Sequence, residues 1–420
     1  MYSQIKPMNI LFCVPSSLTT RLGKPKVYIE VARALEKQGC TCTLADVEEV
    51  APGIENVERS ERDAYYQYHL KSYIEVHADA FDVIEYEHKH LPYPRHELPD
   101  NVLLVARSVL LIHHAQRVQL PVWKGILPLL QNAAGYVLAG VECPGHLSLR
   151  DHAHVLKKHV GTAVRHTFNR QEELTRVVQQ ANQTINASDV AIVSNRHDRE
   201  ALQETDINRS KIAVLPFGLT KEQRISLGQA TPSAGASPTI AFIGTFDFRK
   251  GAATDIPKIA RHVWSEIPKA SLRLLGTKGL FVSEKEVRAH FPADMQSQIE
   301  VVPSYDPDDL SNLLDGGTLG VFPSYYEGFG FGVLEMLAAG LPVFAYDAPG
   351  PPEMLDAKSL VATGDWRALS QKIVALLQSP SELSRSQKQA KQTANAFDWD
   401  SIATKTYQVY QSYLPINDNI

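Results

Sequence analysis

Cysteine is scarce in this chain, with four residues among 420. Cys13, Cys40, Cys42 and Cys143 do not have the spacing of a metal-binding motif. Cys40 and Cys42 alternate along one predicted strand, so their side chains point the same way without forming a redox pair. We therefore expect reduced thiols buried in the core, and the pattern predicts no metal site.

Long hydrophobic runs are also absent. The longest, such as residues 10–14 and 102–106, are far shorter than the roughly 20 apolar residues of a membrane-spanning helix. Residues 1–8 lack the apolar centre of a signal peptide. These absences predict a cytoplasmic protein.

Neither sign of charge dominates the sequence. Lysine and arginine number 42 and the acidic residues 47, which gives a net charge of −5. A nucleic-acid-binding domain needs a local basic excess to neutralise phosphates, and no domain-wide excess is visible. We therefore expect no nucleic acid among the partners.

The glycine fingerprint of a dinucleotide-binding fold is missing as well. The pattern predicts a buried strand at residues 9–14, a helix at 25–38 and a second strand at 40–45. The turn between the first strand and the helix contains no Gly-x-Gly-x-x-Gly. The unit is Rossmann-like in its element order, but the missing fingerprint argues against a dehydrogenase.

The length and the alternation of elements indicate two domains. A chain of 420 residues suits two cores of roughly 200 residues each. Strands and helices alternate in both halves, and residues 230–238 are rich in Ser, Ala, Gly and Pro, which is typical of a connector. We predict an α/β protein with two doubly wound domains facing across a cleft, at residues 1–218 and 219–398.

The most informative stretch follows a predicted strand at residues 318–323. Three glycines, Gly328, Gly330 and Gly332, lie where a helix begins, so backbone amides there can point at an anion. Glu327 and Glu335 flank this turn, and carboxylates suit sugar or ribose hydroxyls better than phosphates. The pattern predicts a ligand that carries both phosphate and hydroxyl groups. The open alternative is that the two glutamates are a helix-dipole partner and a solvated helix residue.

A second chemical signal follows the predicted strand at 239–243. Gly244 and Thr245 begin a loop that contains Arg249 and Lys250 and precedes a helix. Ligands of such folds bind at the carboxyl ends of the strands, so these cations suit a diphosphate. A leaving diphosphate gains negative charge as its bond to the sugar breaks, and prepositioned cations then favour the transition state.

Together these segments closely resemble glycosyltransferase family 4, the retaining nucleotide-sugar-dependent enzymes of the GT-B fold. The resemblance covers the Glu-x7-Glu string and the Lys250-Gly251 pair. It implies that Glu327 and the turn hold the donor sugar and phosphate, and that Glu335 holds the ribose. Thr245 stands where family members usually have arginine, and we expect Arg249 to supply that charge. The catalytic residues implied are Glu327, Lys250 and Arg249, and the donor-binding residues are Glu335, Gly328, Phe329, Gly330, Phe331, Gly332, Gly244 and Thr245.

The first domain matches the family less closely. Family members often read Arg-Ser-His-Gly-Leu-Glu-His where this chain has 107–113, and Val109 stands at the first histidine position. Arg107 and His113 are candidates for the cleft, and Gly23 for a close backbone approach to the donor phosphate or the acceptor. A structural role for His113 and a simple turn at Gly23 are the alternatives.

The function implied by the resemblance is retaining transfer of a sugar, expected to be a hexose, from a nucleotide-sugar donor to an acceptor hydroxyl. The acceptor class is carbohydrate, lipid-linked or small-molecule. The family mechanism needs no protein nucleophile, metal or cofactor. The last segment, 399–420, is expected to hold a helix that packs back on the first domain. Two alternatives stay open: a non-catalytic nucleotide-sugar-binding GT-B protein, and an epimerase-like enzyme.

A basic helical region at residues 150–176 raises the question of membrane contact. Family members that act on lipid acceptors often touch anionic membranes, and peripheral contact with the inner face of a membrane is the alternative to a purely cytoplasmic location. Asp151, Glu172 and Glu173 dilute the positive charge, so the sequence favours a solvated helix. The apolar residues 122–128 are a candidate lining for an acceptor pocket, but burial in the core is favoured.

Overall fold

The computed structural model describes residues 7–19, 23–139, 148–168, 171–233 and 237–414. Its contacts divide the chain into two compact units. Unit 1 comprises the chain up to Arg117, residues 173–220 and the chain from Phe397. Unit 2 comprises residues 118–172 and 221–396, so the segment 118–172, which the sequence assigned to the first domain, packs with unit 2.

Unit 1 is built on a six-stranded parallel sheet. In chain order its strands are β1 (Asn9–Cys13), β2 (Thr41–Ala45), β3 (Val83–Glu87), β4 (Leu103–Arg107), β5 (Val190–Val193) and β6 (Ile212–Val214). They lie in the order β2-β1-β3-β4-β5-β6. Residues of β3, β4 and β5 are buried throughout, as expected of parallel strands covered on both faces. The helices of this unit are α1 (Gly23–Glu36), α2 (Val47–Val50), α3 (Arg62–His77), α4 (Ile112–Arg117), α7 (Gln171–Ala187), α8 (Arg196–Gln203) and α16 (Trp399–Tyr413).

Unit 2 repeats this architecture with a second six-stranded parallel sheet. Its strands are β7 (Thr239–Ile243), β8 (Ser271–Leu275), β9 (Ile299–Val302), β10 (Leu319–Phe322), β11 (Val343–Asp347) and β12 (Leu360–Ala362). The order is β12-β11-β10-β7-β8-β9, so the strand order reverses between β7 and β10. The helices are α5 (Ile126–Ala139), α6 (Leu149–Phe168), α9 (Lys221–Gly228), α10 (Ile256–Glu266), α11 (Glu284–Arg288), α12 (Leu310–Leu314), α13 (Phe331–Ala338), α14 (Trp366–Leu377) and α15 (Pro380–Ala394).

The cysteines of the described residues are free. Cys13 and Cys40 are buried, and Cys42 is half-buried. Burial raises the pKa of the Cys13 thiol, which keeps it protonated. Cys143 lies outside the described residues.

The C-terminal helix returns to unit 1 and completes a buried polar cluster there. Arg107 Nε and Nη2 donate to Oε1 and Oε2 of Glu85, at 2.5 and 3.0 Å. The hydroxyl of Tyr410, on α16, donates to Glu85 Oε2 at 2.5 Å. Glu85 is fully buried and Arg107 is 1% exposed, so each buried charge is compensated by the other.

We predict that Arg107→Met destabilises the protein strongly, because Glu85 would keep its buried charge without a cation. The expected loss is roughly 3–5 kcal/mol, measured by urea unfolding. The matched control is Lys37→Met, which removes a solvent-exposed ion pair with Asp400 and should change little. Equal stability of the two variants would contradict a structural role for the buried pair.

Candidate functional site

The candidate site lies at the carboxyl edge of the unit 2 sheet, where the strand order reverses. The loop after β7 runs from Gly244 to Asp255, and the loop after β10 runs from Pro323 to Gly330. The amide of Tyr325 donates to the Arg249 carbonyl at 2.8 Å, which joins the two loops. Open α/β sheets bind their ligands at this position.

Three charged side chains meet between these loops. Glu327 Oε1 lies 2.8 Å from Arg249 Nη1 and 2.7 Å from Lys250 Nζ. Arg249 Nη1 also donates to the Tyr326 carbonyl at 3.0 Å. Glu327 is only 7% exposed. We call Arg249, Lys250 and Glu327 the ion triad; the structure brings together the three residues that the sequence named as catalytic.

The protonation states of the ion triad follow from burial and charge. Burial alone would raise the pKa of Glu327, but Arg249 and Lys250 outweigh it, and the pKa is lowered. Burial lowers the pKa of Lys250, and Glu327 opposes that shift. Glu327 and Asp247 raise the pKa of Arg249 against the effect of burial. The triad therefore holds a carboxylate and a guanidinium beside an ammonium whose charge depends on Glu327.

Two glycines shape the turn before α13. Gly330 has a φ of +93° at the start of the helix, a conformation that favours glycine. A Cβ at Gly332 would lie 2.8 Å from the Ile243 carbonyl oxygen at the end of β7. The first turn of α13 therefore packs so close to the end of β7 that a side chain at Gly332 would clash with it. Gly328, Phe329 and Phe331 lie in the same turn, with the two rings 6.0 Å apart.

The predicted donor-binding residues of the first loop lie around Asp247. Thr245 Oγ1 donates to Asp247 Oδ2 at 2.6 Å, and the Lys250 amide donates to Asp247 Oδ1 at 2.8 Å. A Cβ at Gly244 would lie 3.4 Å from Lys250 Cε. The side chain of Thr245 is thus hydrogen-bonded within the loop. Arg249 is the second cation of the site, beside Lys250.

Glu335 is half-buried in the second turn of α13, and Glu327 lies in the loop before that helix. Burial raises the pKa of the Tyr305 hydroxyl, and the carboxylate of Glu335 raises it further. Tyr305 packs over Gly276, where a Cβ would lie 3.2 Å from its ring. Glu335, Tyr305 and Gly276 therefore form a separate polar and aromatic patch beside the helix.

A hydrogen-bonded cluster that the sequence did not reveal holds the loops of the ion triad. The hydroxyls of Tyr325 and Tyr346 both donate to Asp255 Oδ2, at 2.8 and 2.9 Å. Lys258 Nζ lies 3.1 Å from Asp255 Oδ1. Because Tyr325 immediately precedes Tyr326 and Glu327, Asp255 fixes the second loop against the first. In sequence, an aspartate before a helix indicates only an N-cap.

Aromatic side chains pack around the loop that follows β7. Phe246 and Phe248 pack against His159, Phe281 and His290, with ring centroids 4.6 Å apart for His159 and Phe248 and 4.9 Å apart for Phe246 and His290. Burial lowers the pKa of His290 to about 3 and also lowers that of His159. Both imidazoles are therefore neutral near pH 7.

The candidates of the first domain lie in unit 1. Arg107 is held by Glu85 inside the core. His113 is buried, its Nε2 lies 2.8 Å from Asn182 Oδ1, and burial lowers its pKa to about 4. Gly23 is the first residue of α1, and a Cβ there would meet no atom within 4 Å. Their roles toward a donor or acceptor stay predictions.

The sequence also missed a polar cluster at the end of β3. Glu87 is buried, and its Oε1 lies 2.9 Å from His88 Nδ1 and 3.4 Å from Lys24 Nζ. Burial would raise the pKa of Glu87, but Lys24 and His88 hold it well below its usual value. β1 and β3 are the strands between which the order of the unit 1 sheet reverses. The cluster therefore lies at the sheet edge where open α/β folds bind their ligands.

The domain that carries the ion triad is similar to known proteins. The family model described as "Glycosyl transferases group 1" matches residues 225–394. O-antigen chain mannosyltransferase B of Escherichia coli is 34% identical over 109 residues, 26% of this chain and 29% of that protein. D-inositol 3-phosphate glycosyltransferase of Rhodococcus erythropolis is 25% identical over 246 residues, 54% of this chain and 55% of that protein. The matches span about half the length of these curated relatives or less.

Solved structures show the fold. Sucrose-phosphate synthase from Thermosynechococcus elongatus aligns with a TM-score of 0.67 at 18% identity, over 96% of this chain and 98% of that one. Anabaena HepE, solved in complex with UDP-glucose, aligns with a TM-score of 0.61 at 13% identity, over 96% and 100%. The prediction of a GT-B fold with two Rossmann-like sheets is confirmed, and so is the resemblance to glycosyltransferases. Family 4 in particular stays a prediction.

Two searches of the described residues concern other ligands. In that part of the chain, no three His, Cys, Asp or Glu side chains are grouped to hold a metal ion. None of its helices has the length and apolar character needed to cross a membrane.

The buried histidines behind the loop predict a pH dependence of stability. A histidine with a pKa of about 3 in the folded protein and an ordinary value of 6.5 binds more protons when unfolded. Above pH 6.5 His290 is neutral in both the folded and the unfolded chain, so it adds no pH dependence. As the pH drops from 6.5 toward 3, the unfolded chain takes up the proton and the free energy of unfolding falls. The expected slope from His290 is up to about 1.4 kcal/mol per pH unit, measured by urea unfolding.

The control for this prediction is a pair of variants. His290→Asn keeps a donor for the Glu286 carbonyl, which lies 3.0 Å from Nδ1, but cannot titrate. It should flatten the slope, whereas the exposed His96→Asn should leave it unchanged. An unchanged slope in His290→Asn would show that His290 does not carry the effect.

Proposed function

We propose that this protein is a retaining glycosyltransferase that moves a sugar from a nucleotide-sugar donor to an acceptor hydroxyl. The observation that carries the proposal is the ion triad at the strand-order reversal of a glycosyltransferase group 1 domain. Such a site offers two cations to a diphosphate and one carboxylate to sugar hydroxyls.

The donor's diphosphate is proposed to lie against Lys250, Arg249 and the amides at the start of α13. The triad carries two cations against one carboxylate, so it retains a net positive charge for an incoming anion. The negative charge on the diphosphate grows as the bond to the sugar breaks. Interactions with Lys250 and Arg249 then strengthen in the transition state, which is the condition for catalysis by binding.

The two glutamates are proposed to hold the hydroxyl groups at either end of the donor. Glu327 is ionised, because Arg249 and Lys250 lower its pKa, and it accepts hydrogen bonds from the sugar. Glu335 accepts from the ribose, beside the patch of Tyr305 and Gly276. The phosphates of the donor are then proposed to lie between Glu327 and Glu335, at Gly330.

The proposed reaction proceeds on one face of the sugar. The acceptor oxygen forms a bond to the anomeric carbon while the bond from that carbon to the diphosphate oxygen breaks. The departing diphosphate oxygen takes the proton of the acceptor hydroxyl, so configuration is retained. The step uses no protein nucleophile, cofactor or metal.

The sugar is proposed to be a hexose, because the relatives include mannosyltransferases and a neighbouring structure contains UDP-glucose. The acceptor is proposed to be a carbohydrate, a lipid-linked or a small-molecule hydroxyl compound. A cytoplasmic location is likewise a proposal.

The first experiment measures nucleoside diphosphate release from UDP-, GDP- and ADP-hexoses without acceptor. Slow release from one donor, abolished in Glu327→Ala, would identify the donor and support the transferase. A free isomer of the sugar without diphosphate release would support an epimerase-like enzyme. Donor binding by calorimetry without turnover, with or without a panel of acceptors, would support a non-catalytic binding protein. That alternative is kept because Val109 and Thr245 stand at the usual histidine and arginine positions of the family.

Lys250→Ala is predicted to lose at least about 100-fold in turnover, because one preorganised cation at the developing charge is removed. The matched control is Lys388→Ala, an exposed lysine on α15, which should keep full activity. Near-ultraviolet circular dichroism checks that both variants are folded. Turnover within a few-fold of the parent protein would remove Lys250 from the mechanism.

A further inference from the structure

Two features of unit 2 lie outside the candidate site. The first is the apolar surface beside α5, where Trp123 and Leu127 are exposed although the sequence favoured burial of residues 122–128. The second is a cavity of about 220 Å³ between α13, α14, α15 and β11. An open apolar surface does not define its occupant, whereas a cavity constrains the size and charge of the molecule that it holds. The cavity is therefore the feature from which a ligand can be inferred.

The cavity lies at the amino edge of the unit 2 sheet. Pro342 and Val343, at the start of β11, line it, and so does Ser359, immediately before β12. The strands of this sheet are parallel, and the ion triad lies in loops at their carboxyl ends. The cavity and the ion triad are therefore on opposite edges of the sheet.

The inner wall of the cavity is apolar. It is formed by the buried side chains of Leu337, Val343, Met354 and Leu376 and by the half-buried ring of Phe344. An aromatic ring packs favourably on another ring and on a thioether. An engineered apolar cavity of about 150 Å³ holds a benzene ring, so this cavity has room for a ring with small substituents.

The opposite wall, on α15, carries groups that can form hydrogen bonds. Ser386, Gln389 and Thr393 recur at helical spacing and line the cavity. On another side of the helix, Gln387 and Lys391 donate to backbone carbonyls of the segment that leads to β7. α15 is thus held in place by contacts within unit 2, and its polar side chains face the cavity without a ligand having to order the helix.

One cation of the lining has no acidic partner. The charged side chains that line the cavity are Asp356, Lys358, Lys372 and Glu382. Lys358 Nζ lies 3.2 Å from Asp356 Oδ2, and Arg385 Nη2 lies 3.7 Å from Glu382 Oε1. Lys372 Nζ donates to the Lys358 carbonyl at 2.6 Å and pairs with no carboxylate in the part of the chain that the structure describes. Because Lys372 is half-buried, its charge can still be reached by an anionic group of a ligand.

We propose that this cavity binds a compact aromatic molecule that carries one anionic group. The ring packs on Phe344 and Met354 and removes their apolar surface from water. The anionic group accepts a hydrogen bond from Lys372, and other polar substituents of the ring bond to Ser386 or Gln389. Binding here is separate from the proposed transferase reaction, which uses the opposite edge of the sheet.

The experiment uses the full-length protein and 4-(trifluoromethyl)benzoate, a compact aromatic anion that is observed by ¹⁹F NMR. We expect its signal to broaden on addition of the protein, and the broadening to saturate. The neutral 4-(trifluoromethyl)benzamide should bind roughly tenfold more weakly, because it cannot accept a hydrogen bond between opposite charges. Trifluoroacetate, which has the charge but no ring, should not displace the benzoate.

Cavity-filling variants test where the benzoate binds. Ala375→Trp, on α14, and Ser386→Trp, on α15, each place a ring in the cavity and should abolish the saturable binding. The matched control is Ala134→Trp at an exposed position on α5, which should leave the binding unchanged. Near-ultraviolet circular dichroism checks that the three variants are folded.

A charge variant tests the role of Lys372. Lys372→Met should remove the preference for the benzoate over the benzamide while both still bind, because the apolar wall is kept. Lys388→Met, at an exposed lysine of α15 that does not line the cavity, should keep the preference. A loss of stability alone would weaken the binding of both molecules equally, so the ratio of the two dissociation constants reports the charge.

The ion triad is a second place where an anion could bind, and Lys250→Ala separates the two. The benzoate should bind this variant as it binds the parent protein. The proposal is overturned if no saturable binding occurs, if Lys250→Ala abolishes the binding, if the cavity-filling variants leave it unchanged, or if the benzamide binds as tightly as the benzoate. None of these outcomes depends on catalysis, so the result stands apart from the test of the proposed function.

Discussion

The burial of Glu327 is the constraint on which the rest of the candidate site depends. A buried carboxylate costs several kcal/mol of solvation unless cations and hydrogen bonds replace the lost water. Arg249 and Lys250 provide the cations, and both come from a loop of another strand. The two loops must therefore stay close enough for Glu327 to contact both cations.

Several features of unit 2 serve that requirement. Asp255 binds Tyr325 and Tyr346, so three neighbouring strand ends share one carboxylate. Asp247 holds the turn between Thr245 and Lys250. Phe248 packs on His159 from an element that is distant in the sequence. The loops that carry Arg249, Lys250 and Glu327 are thus each held by neighbouring side chains. A site whose side chains are already in place lowers the free-energy cost of reorganisation when a ligand binds.

Local patterns predicted much of this arrangement. The short apolar stretches at 239–243 and 318–323 correspond to β7 and β10, and the glycines and cations after them lie within a few residues of the strand ends. Glu327 and Arg249 are 78 residues apart, but each follows a predicted strand whose carboxyl end lies at the same sheet edge, and each lies in a segment that resembles the family. Asp255 was missed because an aspartate before a helix indicates only an N-cap, and no motif links it to Tyr325 and Tyr346. The sequence likewise indicated one long helical region at 147–186 where α6 and α7 are separate helices that pack with different units.

The division of the chain has a consequence for how the protein can be dissected. The backbone passes between the two units four times, after residues 117, 172, 220 and 396. No single cut yields two complete pieces. A fragment ending near residue 218 would retain α5 and α6 but lose Glu286 and Phe248, which contact Lys158 and His159. The first half of the chain thus contains a helix whose packing partners are supplied by the second half.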